Sequence, residues 1–379
     1  MNSDNHIPQV LVVGAGIAGL AVAGAIRELG WAVSSAEQRQ DLDVTGTGLF
    51  IPANGIRALA ALGMLDAVTC RGHTISRLRV RSGDGSVESV ARLEKVWPAI
   101  GPSIAIHRSL IQQILLDAAL VPVRMGARLA GLTVDGAMVH ATFDDGDTAG
   151  YDLVVGADGA GSAVRGLLWP DAAVRYGGES WWRGIVPCPP GLADWTLTLC
   201  QAGNLVIIPV GNGLAYWGAG VSHQAPFHDE PAGRAARVRD RFTDATGVAA
   251  AVLDQVTDDD PVQFSAADTA WTEDPVAGRV VLIGDAWHAA TPSMAQGAAM
   301  AAEDALVLAQ ELGRDPRHGA IGGALRRFAA RRLPRVRHVQ ETTAMRNQLA
   351  ALPLEQRLGV IPHWEDISVA SFAPLVSEP

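Results

Sequence analysis

From Gln9 to Leu29 the chain runs a short apolar strand into Gly14-Ala15-Gly16-Ile17-Ala18-Gly19 and then into an Ala- and Leu-rich helical stretch closed by Gly30. A strand that feeds a helix through a glycine turn commits the chain to a β-α-β unit, and Trp31 to Glu37 supplies the second strand. In such a turn Gly14 permits the bend, Gly16 lets the backbone approach a pyrophosphate, and Gly19 lets the helix pack closely on the sheet, with Ala18 as the further small residue. Free amides at the helix start then meet phosphate charge. Glu37, at the end of the second strand, is placed to accept hydrogen bonds from ribose hydroxyls; the alternative is an ordinary exposed carboxylate. The pattern predicts a dinucleotide site without separating nicotinamide from flavin.

With 379 residues, 48% of them hydrophobic, the chain can bury a large core as two domains or as one with a large insertion. A formal charge of −10 argues against a nucleic-acid footprint, which needs clustered Lys and Arg. The arginine-rich run Arg326 to Arg337 reads as a helix face, solvated or paired with carboxylates. Cys70, Cys188 and Cys200 lack metal or paired spacing, so neither zinc nor a disulfide framework is expected, and a reducing cytoplasm fits. The apolar run Val10 to Ile26 is broken by four glycines and predicts no membrane span.

Further along, Asn54 is expected to cap a helix that ends at Gly63, and another helix runs from about His107 to Leu120. Asp84-Gly85, Asp135-Gly136 and Asn212-Gly213 each sit between short apolar strands and predict hairpins. Tyr151 to Gly156 and Arg279 to Gly284 read as later strands of the first, parallel sheet, and helices dominate after Gln296. The fold class is α/β: a Rossmann-like domain with a parallel sheet, a smaller mixed β-sheet domain and C-terminal helices. The expected division is 1–75, 101–166 and 276–379 for the dinucleotide domain, with 76–100 and 167–275 forming the second sheet.

Two further segments narrow the cofactor. Asp152-Leu153-Val154-Val155-Gly156-Ala157-Asp158-Gly159 with Ser162 and Arg165, and Arg279-Val280-Val281-Leu282-Ile283-Gly284-Asp285 with His288 and Pro292, resemble two signature motifs of the single-component FAD-dependent aromatic hydroxylases, the salicylate, hydroxybenzoate and urate hydroxylases among them. The resemblance runs in order from about Val10 to Arg337. It implies a para-hydroxybenzoate hydroxylase-like fold, bound FAD, NADPH or NADH as a transient reductant, and transfer of oxygen from O2 to an aromatic small molecule through a flavin C4a-hydroperoxide. It also implies that Asp285 meets the ribityl chain, Arg108 the flavin side, Arg39 the adenosine end, and Asp158-Gly159 both FAD and the reduced nicotinamide. Asp158 as a turn residue and Asp285 as a cap of the following turn are the alternatives. Where the family places Gly-x-Gly, this chain has Ala295-Gln296-Gly297-Ala298, and amides near Gly297 and Ala298 are placed to stabilise negative charge on the flavin.

Candidate pocket residues come from the second sheet: Trp182, Arg183, Leu205, Ile207, Tyr216 and Trp217. Alternation puts Tyr216 and Trp217 on opposite faces. Tyr216 is expected to hydrogen-bond a substrate hydroxyl, with core packing as the alternative, and Arg183 to hold an acidic group, with an internal salt bridge as the alternative. His288 reads as a packing residue. Other flavin chemistry on the same scaffold, such as epoxidation or oxidative decarboxylation, and a flavin-binding protein without turnover are the competing readings.

Overall fold

The computed structural model describes residues 6–42, 47–259, 261–315 and 318–379. The run QVLVV becomes the strand Gln9–Val13 and lies between Ala32–Glu37 and Leu153–Gly156, both parallel to it. Val280–Leu282 and Val123–Met125 extend the sheet in parallel, and Val276–Ala277 closes one edge antiparallel. Leu153–Gly156 and Val280–Leu282 are buried at every residue, which is why they read as unbroken apolar runs. Helices Ile17–Arg27, Arg108–Ala119 and Gly297–Gly313 pack together, and a three-stranded antiparallel sheet adds Val139, Ala141 and Phe143 to the same core.

The second sheet has seven strands, ordered Gln263–Trp271, Arg175–Pro187, Leu214–Ser222, Asn204–Gly211, Trp195–Leu199, Arg77–Ser82 and Glu88–Arg92. Its hairpin turns through Asn212 and Gly213, both at positive φ (54° and 70°), as a type I′ connection requires. The register then slips between Pro209 and Gly211, so that Ile208 pairs with Tyr216 and Ile207 with Trp217. That bulge reverses the faces beyond it. Leu205, Ile207, Trp182 and Trp217 therefore point together into a second core closed by helices Arg234–Arg241 and Val248–Leu253. Val206, Ile208, Tyr216 and Ile185 point the other way, toward the main core.

The 30-residue helix Ile321–Ala350 and the shorter Leu354–Leu358 and Trp364–Phe372 complete the chain. Trp364 stacks on Trp195 of the second sheet, with ring centroids 6.5 Å apart and planes 9° from parallel. Among the described residues no helix is long and apolar enough to cross a membrane.

Candidate functional site

At the carboxyl end of the first sheet a groove is lined by Gly14, Gly16, Glu37, Arg39, Arg108 and Asp158, six of the residues singled out in the sequence. Sterics shape its floor. Gly14 has φ of 105°, and a methyl there would overlap the Ala157 carbonyl. A methyl on Gly19 would overlap the Gly14 carbonyl oxygen, so these two glycines are demanded by the protein itself. Gly16 differs: a methyl there would meet no protein atom within 4 Å, because that flank opens on the groove. The helix it starts has no side-chain cap and no acid in its first turn, which leaves its amides for a phosphate. Ala18 lies outside the groove, beneath Gly284, where a Cβ would come within 2.8 Å of the Ala18 methyl.

Glu37 accepts from the Ala15 amide at 2.9 Å and the Arg39 amide at 3.0 Å, so it braces the glycine turn while its edge stays on the groove. Gln112, which sequence reasoning missed, donates to the Ala15 carbonyl at 3.1 Å and also lines the groove. Arg39 and Arg108 are exposed on its rim. Asp158 borders the groove, but its carboxylate accepts from the Ser162 hydroxyl at 2.5 Å and the Ala163 amide at 2.7 Å, capping the following helix. Burial pushes its pKa up against those hydrogen bonds.

The turn after Val280–Leu282 is held from behind. The Asp304 carboxylate takes the Gly284 amide at 2.8 Å and His288 Nε2 at 2.7 Å, and Arg332 Nε donates to its other oxygen at 2.7 Å. Glu303 beside it is held by Arg332, Arg335 and Asn54. Burial alone would raise the pKa of Asp304, but the fields of His288 and Arg332 outweigh it and hold the carboxyl below its ordinary value. Arg165 ties the two motifs together, donating at 2.8 Å to the Ala286 carbonyl and also to Ala160. Several expectations are corrected here. Asn54 is no cap; it lies inside helix Ala53–Ala61 with its amide on Glu303 and Gln296. Asp285 caps nothing with its side chain: it is exposed, among the described residues its carboxylate has no partner, and it stands 3.8 Å from the β-position of Gly297. The arginine run pairs with carboxylates, one of the two expected arrangements, but Arg332 does so at 0% exposure and not on a helix surface. Gly297 and Ala298 open helix Gly297–Gly313, which has no side-chain cap, and Ala295 adopts the left-handed φ of 51° that glycine favours.

On the second sheet Trp182, Leu205 and Ile207 lie in the second core, away from the face that carries Tyr216, and the Trp182 indole donates there to Asp229 at 2.8 Å. Tyr216 lies along its own strand with its hydroxyl over Gly218, 2.7 Å from where a Cβ would stand, and the Trp181 ring crosses Gly220 in the same way. Arg183 pairs with Gly218, sits 5.9 Å over the Trp181 ring and donates to the Ser265 hydroxyl at 2.7 Å. Burial pushes the Tyr216 pKa up against the pull of that guanidinium. One segment links this face to the helix at Gly297: a methyl on Gly48 would overlap the Tyr216 side chain, and one on Gly55 would press on Ala299.

Residues 8–343 match the model of the FAD binding domain family. The chain is 31% identical over 366 residues to the aurachin C monooxygenase/isomerase of Stigmatella aurantiaca, covering 94% of this chain and 90% of that one. It is 30% identical over 309 residues to the 2-heptyl-3-hydroxy-4(1H)-quinolone synthase of Pseudomonas aeruginosa, covering 79% and 80%. Its fold superposes on Klebsiella pneumoniae HpxO complexed with FAD and uric acid at a TM-score of 0.88, with 24% identity and 99% and 98% of the two chains covered. The chain belongs to the FAD binding domain family, as a flavoprotein of the group A aromatic hydroxylase kind. FAD is its cofactor, and the open flank of Gly16 above uncapped amides fits the pyrophosphate.

Proposed function

We propose that the protein uses NADPH or NADH and O2 to hydroxylate an oxygen-substituted aromatic or polycyclic ring on the sheet face that carries Tyr216 and Arg183. The observation that carries this reading is the alignment of those two side chains on the face joined through Gly48 and Gly55 to the Gly297 helix. Bound FAD supplies the oxygen chemistry. The chain's own residues bind and orient. The Gly16 turn and the first amides of helix Ile17–Arg27 hold the pyrophosphate, Glu37 and Arg39 the adenosine end, Arg108 the flavin side, and Asp285 the ribityl hydroxyls. Asp158 and Gly159 contribute backbone, since the Asp158 carboxylate is committed to its helix cap. Amides of Gly297 and Ala298 face the ring system, where a helix N-terminus favours negative charge. Tyr216 hydrogen-bonds a ring hydroxyl or oxo group, and Arg183 draws in an anionic edge. Sheet and helices exclude water from the reacting atoms.

The relatives' names suggest the range to screen: 4(1H)-quinolones first, then hydroxybenzoates, phenols and polycyclic quinones. The purified protein is expected to be yellow, and one ring compound should accelerate both flavin reduction by NADPH or NADH and oxygen consumption in stopped flow. Tyr216→Phe should lower the product formed per reductant consumed while FAD content stays intact, and Asp285→Ala should lower FAD retention. A protein whose flavin is reduced no faster with any ring compound would overturn the reading.

A further inference from the structure

Glu179 lies on the face of the second sheet that carries Tyr216, and nothing in the reading above uses it. It is 4% exposed, yet it pairs with no cation in a salt bridge among the described residues. Among the described residues its one hydrogen bond comes from the Trp181 indole, whose Nε1 donates to Oε2 at 2.6 Å, and the other carboxylate oxygen has no partner there. The Trp181 contact is between residues two apart on one strand, which places Glu179, Trp181 and Arg183 on a common side. Gly218 and Gly220 across from them carry the Tyr216 hydroxyl and the Trp181 ring, so a row runs Tyr216, Arg183, Trp181, Glu179.

The strand delivers Glu179 to a particular place. Gly178 has φ of 88° and the register against Gln263–Trp271 shifts between Tyr176 and Ser180, a bulge of the kind that re-aims a side chain. Gly177 is pressed so closely on Thr291 that a methyl would overlap its Cγ2, and Asn347 Nδ2 donates to the Gly177 carbonyl at 3.2 Å. Thr291 precedes the Pro292–Met294 turn that leads to Gly297. Glu179 is thus a carboxylate at the junction of the substrate face and the segment that leads to the flavin-facing helix. A buried carboxylate with a single neutral donor is costly to keep as mere structure.

We propose that Glu179 is the base that ionises the substrate, taking the proton from a ring hydroxyl or ring N–H and so making the ring carbon nucleophilic. This rests on the reading of the previous section. In the step the O–H or N–H bond breaks, its electron pair stays on the ring, and the proton passes to the carboxylate, which becomes a neutral acid; no oxidant or reductant is needed. Burial pushes the Glu179 pKa up, against the Trp181 hydrogen bond and the field of Arg183, and so brings the carboxylate closer in basicity to the group it must deprotonate. Arg183 is the charged group that acts on it; Ser222 opposite, and Thr291 and Asn347 beside Gly177, are uncharged. Tyr216 and Arg183 then hold the anionic ring. The site would select rings that carry both an acidic hydrogen and an acceptor oxygen.

The probe is the ring compound selected by the reduction screen above, bound to the FAD-loaded protein in weak buffer at least one pH unit below the compound's own pKa. Wild-type protein is expected to show the absorption of the ionised compound with almost no proton released to solvent, because the proton moves to Glu179. Glu179→Gln should lose the ionised spectrum and lower hydroxylated product about a hundredfold. Its product formation should recover as pH rises through the compound's own pKa, and Glu179→Asp should restore part of the rate at neutral pH. A neutral spectrum in the wild type, release of a full proton per compound bound, or undiminished product from Glu179→Gln would each overturn the proposal. The first two need no variant, so a substituted chain that lost FAD would leave the decision to them. A screen that selects no compound defeats the monooxygenase reading instead, which separates the two failures.

Discussion

The turn that follows Val13 and the turn that follows Leu282 lie at the same end of one parallel sheet, yet different forces hold them. The first is shaped mainly by what is missing: Gly14 and Gly19 let backbone approach backbone, and the one carboxylate that braces it, Glu37, takes backbone amides. The second is shaped by a buried ionic cluster, with Asp304 gripping the Gly284 amide, Arg332 supplying the countercharge and His288 bonded to the same carboxylate. A steric turn tolerates pH and salt but not a methyl group. An electrostatic turn tolerates small changes of shape but not the loss of one charge, since each remaining ion is left in a low-dielectric interior.

The largest effect is expected at the second turn. Arg332→Met leaves Glu303 and Asp304 with fewer partners at 0% exposure, and breaking a buried pair from one side costs about 3–5 kcal/mol. Urea unfolding should show that loss, with little FAD retained. A variant that stayed within about 1 kcal/mol of wild type would mean that the cluster is not what secures the Gly284 turn.

The first turn allows a sharper contrast within itself. Gly19→Ala forces a methyl into the Gly14 carbonyl and should destabilise even the FAD-free protein, by about 1–3 kcal/mol as an overpacked site does. Gly16→Ala meets no protein atom, so the FAD-free protein should unfold as wild type does while its FAD dissociation constant rises about tenfold or more. Equal losses of FAD-free stability from the two substitutions would break the division between glycines required by the fold and a glycine required by the ligand.

The same difference decides what could be read from the sequence. Steric turns announce themselves locally, so Gly14 to Gly19, the Asn212-Gly213 hairpin and the opposite facing of Tyr216 and Trp217 were all legible from neighbours in the chain. The ionic cluster joins Asn54, His288, Glu303, Asp304 and Arg332 across up to 249 residues, and no local pattern pairs them. Asn54 consequently read as a cap, and the arginine run revealed its pairing but not its depth. Leu205 and Ile207 were misassigned for a third reason: a single bulge near Val210 shifts the strand by one residue and turns both side chains into the second core. Glu179 escaped because its neighbours look like ordinary strand, and only the fold shows that it is buried.

Ala295 is where the two kinds of turn meet, and it carries the smallest expected effect. The family pattern has glycine there, and the backbone keeps the glycine conformation, φ 51° and ψ 32°, with an alanine side chain. The left-handed region costs a residue with a Cβ about 1–2 kcal/mol, whereas glycine adds a few tenths to about 1 kcal/mol of unfolded-state entropy. Ala295→Gly should therefore stabilise the protein by about 0.5–1 kcal/mol in urea unfolding. If the neighbouring ionic cluster dictates the path of this segment, relieving the strain changes stability alone and leaves flavin reduction as it was. If alanine instead holds the segment in one of two positions, the glycine variant should gain little stability and reduce its flavin at a changed rate. The second outcome would make the Ala295 segment a steric device like the first turn, and would move the boundary between the two regions from Gly284 to Gly297.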